Sequence, residues 1–89
     1  MFEIKIIRSG DGETKSLGTV DTLDAGKALV YALDKRYVEW EKSGFPELPD
    51  CDVLNYYEGC DVSATNLETG TLLYLEGTED EDIWYEPEQ

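Results

Sequence analysis

Eighty-nine residues confine the chain to one small domain with a limited core. Apolar residues make up 40% of it, which excludes a wholly disordered polymer, and no apolar run nears the ~20 residues of a membrane-spanning helix. The formal charge of −14 is the outlier: such a chain repels nucleic acid and anionic membranes, and the partners it favours are cations and basic protein surfaces.

The chain opens with FEIKIIR (2–8), where Phe2, Ile4 and Ile6 alternate with Glu3, Lys5 and Ile7. That is the pattern of a strand with one buried face. SGDGE (9–13) supplies turn residues, and TKSLGTV (14–20) reads as the returning strand, weakened by Gly18. Residues 2–20 are therefore expected to form a hairpin. No basic segment followed by an apolar stretch opens the chain, so no signal peptide is read and the cytoplasm is the expected compartment. Cys51 and Cys60 are then expected as free thiols, although a disulfide across a hairpin stays geometrically open.

A helix is expected over 22–43. Thr22, or Asp21 before it, can cap the N-terminus, and Asp24 falls in the first turn, where the helix dipole favours an acid. Leu23, Gly26, Leu29, Val30, Leu33, Tyr37 and Trp40 form one apolar stripe, with Asp24, Lys35, Glu39 and Lys42 opposite. Gly26 inside that stripe costs about 1 kcal/mol against Ala, which marks it as a point of close approach to a sheet. Ser43-Gly44 ends the helix, and FPELPD (45–50) is a loop held open by two prolines.

A C-terminal sheet is expected over 51–76. CDVLNYY (51–57) contains a β-favouring run, with one of Tyr56 and Tyr57 in the core and the other exposed. DVSATN (61–66) and TLLYLE (71–76) flank the turn LETG (67–70). An acidic tail, 77–89, follows. Its IWY triplet can add a short edge strand that buries Ile83 and Tyr85 and leaves Trp84 out. The fold class read from this order is α+β: a small antiparallel sheet of about four or five strands, in the order ββαβββ, with one long helix across one face.

The charge is unevenly placed. All seven basic residues lie in the first 42 positions, beside eight acids. Residues 43–89 hold thirteen acids and no base. Within a Debye length of about 8 Å neighbouring acids act together on an approaching cation. Acids on alternate strand positions, ~6.6 Å apart, can imitate part of the field of duplex DNA, which carries one charge per ~1.7 Å. The expected contact surface is Glu58, Asp61, Glu68, Glu76, Glu79, Asp80, Glu81, Asp82 and Glu86. Trp84 and Tyr85 are expected to anchor it by burial or by stacking on arginine.

Catalytic chemistry leaves no signature. With no histidine the commonest general base is missing, and two cysteines without histidine do not build a structural zinc site. TEDED lacks the calcium-loop pattern, and GDGE and LETGT are turns without the lysine or helix start of a phosphate loop. We expect no enzyme, no metal and no cofactor.

Composition, and residues 43–89 with EDEDIWYE in particular, resembles the small acidic inhibitors of phages and mobile elements, of the DNA-mimic, anti-restriction and anti-CRISPR type. The evenly charged N-terminal half, with Lys5, Arg8, Lys15, Lys35 and Arg36, departs from a uniformly acidic mimic. The resemblance implies a non-catalytic protein in the host cytoplasm. It would block a nucleic-acid-binding host protein by occupying its basic surface, as a monomer or homodimer that binds neither nucleic acid nor membrane. The alternative is an acidic adaptor or accessory subunit that binds a basic partner without mimicry.

Overall fold

Alternation at the start of the chain makes the central strand. In a computed structural model that describes residues 1–49, 52–57, 60–77 and 82–86, β1 (Phe2–Ile7) buries Ile4 and Ile6 completely. It pairs antiparallel on both sides, with β2 (Thr14–Val20) and with β3 (Asp61–Asn66). Two more strands, β4 (Leu72–Gly77) and β5 (Asp82–Tyr85), complete a five-stranded antiparallel sheet in the order β2-β1-β3-β4-β5. The chain order is ββαβββ, as expected, but β1 lies inside the sheet and not at its edge. Among the described residues no helix is long and apolar enough to cross a membrane.

The β1–β2 hairpin contains a bulge. The register passes from Ile4↔Gly18 to Lys5↔Ser16 and leaves Leu17 as the extra residue. Leu17 packs against both core clusters, while Gly18 takes the strained backbone with φ 121°. Gly18 is thus the residue that allows the bulge.

Helix α1 (Leu23–Lys42) crosses one face of the sheet. Thr22, rather than Asp21, is the cap, its Oγ1 accepting from the Ala25 amide at 3.1 Å. The apolar stripe does face the core: Gly26, Val30 and Leu33 are buried. Ile4, Val30 and Ala64 centre one cluster, and Ile6, Leu33 and Leu54 the other. Gly26 is the close approach that its position promised. A Cβ there would lie 2.8 Å from Ile4 Cδ1 and 3.4 Å from Trp84 Cζ2.

The β-favouring run at 51–57 does not become a strand. Val53–Tyr56 forms a single turn of 3-10 helix, and the C-terminal part of the sheet begins at Asp61 and not at 51. Asp52 decides this locally. Its carboxylate accepts from the Leu54 amide at 3.0 Å and from Arg36 at 2.7 Å, and the turn drops Leu54 into the core. The place beside β1 is meanwhile taken by β3. Tyr56 and Tyr57 are both half-buried against the Leu54 cluster, so the expected division between one core and one exposed tyrosine is not observed.

Candidate protein-interaction site

Strand alternation and register divide the sheet into two faces. The covered face carries Phe2, Ile4, Ile6, Val62, Ala64, Leu73, Leu75 and Trp84 against α1. Among the described residues no helix packs on the other face. Its strand positions from β1 outward to β5 include Lys5, Ile7, Asp61, Ser63, Leu72, Tyr74, Glu76, Ile83 and Tyr85. Leu72 (38% exposed), Ile83 (39%) and Tyr85 (41%) make the β4–β5 part of this uncovered face apolar and open to solvent.

The assignment of IWY is thereby inverted. Ile83 and Tyr85 point outward, and Trp84 points in. The Trp84 indole packs against the Ile4–Val30–Ala64 cluster, and its Nε1–H donates to the Leu23 carbonyl at 3.1 Å, tying the last strand to the first turn of α1. Trp84 therefore serves the domain's own interior, and its reading as an exposed anchor is corrected. Residues 82–85 do form the expected short edge strand, the fifth of the sheet.

The acids expected at the surface separate into groups. Asp61 is exposed at the start of β3. Glu76, exposed on β4, lies opposite Ile83, and Asp82 lies opposite Gly77, both toward the Asp61 end of the sheet. Glu86 is exposed just after β5. Glu68 sits apart. It is in the β3–β4 turn at the far end, where its amide donates to Asn66 Oδ1 at 2.9 Å. Glu58, Glu79, Asp80 and Glu81 lie outside the described residues, as does Cys51.

Three of the basic side chains are tied to acids. Lys5 pairs with Glu3 at 3.3 Å, Arg8 with Asp11 and Glu13, and Arg36 with Asp52. Arg8 also lies over the Tyr56 ring, 4.8 Å from its centroid. The bond from Arg8, with the Glu13 amide adding to it, holds the Asp11 carboxyl at about 2. The Leu54 amide, helped by Arg36, lowers that of Asp52. Of the acids beyond residue 42, only Asp52 makes an ion pair among the described residues. Asp61, Glu68, Glu76, Asp82 and Glu86 make none.

The remaining groups look inward. Burial pushes the Tyr57 phenol well above its usual range, and its donated hydrogen bond to Asp34 adds to the effect. Cys60 is a free thiol, raised by burial and so a poor nucleophile. Among the described residues no three metal-ligating side chains cluster.

One concavity lies on the uncovered face, and the strand pairing explains it. The β3–β4 ladder is short, running only from Thr65↔Leu72 to Ser63↔Tyr74. β1 and β3 stay paired two rows further, to Ile7↔Asp61, and β4 and β5 continue to Gly77↔Asp82. Beyond Ser63–Tyr74 the sheet forks. A cleft of about 380 Å3 opens in the fork, lined by Ile7 and Asp61 on one prong and by Tyr74, Leu75 and Tyr85 on the other. Tyr74 and Tyr85 are direct cross-strand neighbours with ring centroids 6.2 Å apart. Of these five residues sequence reasoning named Asp61 and Tyr85. The available signal for a third was Ile7, an isoleucine on the polar face of β1.

No family model, no curated protein and no solved structure matches the chain.

Proposed function

We propose that the protein is a non-catalytic, cytoplasmic binding protein that occupies the basic surface of a nucleic-acid-binding protein. The observation that carries this reading is the state of the C-terminal half. It holds thirteen acids and no base, and its described acids apart from Asp52 are not neutralised by ion pairs within the chain. Two of them, Asp61 and Glu76, lie on an uncovered sheet face with exposed Leu72, Ile83 and Tyr85. Charge alone would serve solubility. Charge beside an open apolar surface serves association, because steering and burial then act at one place. The absence of histidine and the protonated, half-buried Cys60 support the non-catalytic part.

The neutralised N-terminal half favours a second reading, an adaptor that binds a basic partner away from its nucleic-acid site. Competition separates the two. The immobilised protein is exposed to lysate at low salt, the bound protein is identified by mass spectrometry, and its affinity is measured with and without duplex DNA. The proposal expects a basic nucleic-acid-binding protein whose affinity falls steeply as salt rises and which DNA displaces. Simultaneous binding of DNA and this chain would establish the adaptor, and an affinity indifferent to salt would remove the electrostatic basis of both.

A further inference from the structure

We propose that the fork between β3 and β4 is a receptor for an arginine side chain of the protein partner. The inference rests on the proposed function and gives it a contact point. The lining suits a guanidinium on a long apolar stem. Ile7 offers aliphatic surface, Tyr74 and Tyr85 offer two neighbouring ring faces, and Asp61 offers the carboxylate, while Leu75 closes the lining from the strand whose inner face packs on the core. Arginine stacks on aromatic rings and binds carboxylates in a planar, two-pronged geometry; lysine presents a compact, strongly hydrated charge that does neither as well. A cleft of about 380 Å3 has the volume for such a side chain.

The surroundings leave Asp61 for a partner. It makes no ion pair among the described residues. Lys5 is the cation on the same face nearest in register, one strand pair away opposite Ser63, and its ammonium is turned to Glu3 at 3.3 Å. Arg8, the next cation along the chain, is held by Asp11 and Glu13 and lies over Tyr56. Charge also argues against a second copy as the occupant. Two chains of charge −14 meeting on this face would bring Asp61 and Glu76 against their own equivalents.

The test uses the full chain labelled with 15N and three end-blocked tripeptides: Gly-Arg-Gly, Gly-Lys-Gly and Gly-citrulline-Gly. Amide shifts are followed by NMR at low salt. The expected result is saturable change centred on Ile7, Asp61, Tyr74, Leu75 and Tyr85 with the arginine peptide. The lysine peptide should bind about two- to fivefold more weakly, the share that ring stacking contributes at an exposed site. The citrulline peptide, which keeps the shape and loses the charge, should bind more weakly still. Asp61→Asn and Tyr85→Ala should each abolish the preference for arginine, while Glu68→Gln at the far end of the sheet should preserve it. Asp61→Asn alters an exposed carboxylate only, so its result stands even if Tyr85→Ala loosens β5. Equal shifts with arginine and lysine, or shifts spread over all acids, would overturn the pocket. So would concentration-dependent dimerisation that Tyr85→Ala removes. If the pocket fails while a DNA-displaceable basic partner is still captured, the proposed function stands and only its contact point is lost.

Discussion

Trp84→Ala tests whether the last strand belongs to the fold or to a partner. The indole fills the space between β4–β5 and the start of α1, 3.4 Å from the position of a Gly26 Cβ, and its Nε1–H reaches the Leu23 carbonyl at 3.1 Å. Truncating a buried tryptophan to alanine costs about 3–5 kcal/mol. Trp84 is only partly buried, so the lower end, about 3 kcal/mol, is the appropriate figure. The hydrogen bond accounts for about 1 kcal/mol of it. A domain of this size has on the order of 4–13 kcal/mol in total, so the loss is a large fraction. With a urea slope of about 1–3 kcal/mol/M, the midpoint should fall by about 1–3 M. Trp84→Phe, which keeps most of the packing and removes the donor, should lose about 1 kcal/mol. Trp40 remains as the fluorescent reporter in both variants. The reasoning is refuted if Trp84→Ala leaves the midpoint unchanged and lowers affinity for a basic partner, the behaviour of an exposed anchor.

Leu33→Ala empties the centre of the Ile6–Leu33–Leu54 cluster and should cost about 2–5 kcal/mol by urea denaturation; an unmoved midpoint would show that α1 does not face the sheet. Gly26→Ala sets a gain of about 1 kcal/mol in helix propensity against overpacking of about 1–3 kcal/mol, because the new Cβ meets Cδ1 of the fully buried Ile4 at 2.8 Å and Trp84 Cζ2 at 3.4 Å. The variant should therefore be less stable than the parent, and a higher melting temperature would contradict the close approach. The Asp11 carboxyl should titrate by NMR at about 2 and return toward the ordinary range in Arg8→Gln. Its folded value lies below its unfolded one, so whatever stability it contributes is present above pH ~4 and lost as pH falls through about 2.

What the sequence made legible was periodic. The alternation in 2–8 and the three-and-four spacing from Leu23 to Trp40 each carry many residues toward one conclusion, and both held. Residues 53–56 failed because a β-favouring composition gives way to a local capping contact, here Asp52 to the Leu54 amide, when the neighbouring strand position is already filled. The inward turn of Trp84 escaped notice for a related reason. A four-residue strand offers two equivalent alternations, and only the pairing of Leu75 with Trp84 across β4–β5 chooses between them. Gly26 held that answer in part. An unexplained glycine in an apolar stripe needs a bulky neighbour, and one of its neighbours is Trp84. The fork was invisible because it depends on where the β3–β4 ladder stops, which no local pattern encodes.

The architecture bears on the proposal that a partner meets this face. One helix can cover only one side of a five-stranded sheet, and α1 lays its apolar stripe on β2, β1 and β3. The other side must remain soluble, and near β1 it does so with Glu3, Lys5 and Ser16, linked by the Lys5–Glu3 ion pair and by the Ser16 hydroxyl donating to Glu3 at 3.2 Å. Toward β5 that strategy changes. Leu72, Ile83 and Tyr85 remain exposed and the neighbouring acids make no ion pair among the described residues. On the proposed reading, self-repulsion at −14 would oppose self-association of this apolar surface, and the same charge would draw a basic surface toward it. A single distribution of charge would then both protect the exposed face from like molecules and select an unlike one. Added salt should act on the two effects in opposite directions, weakening capture of a basic partner while permitting closer approach of identical chains.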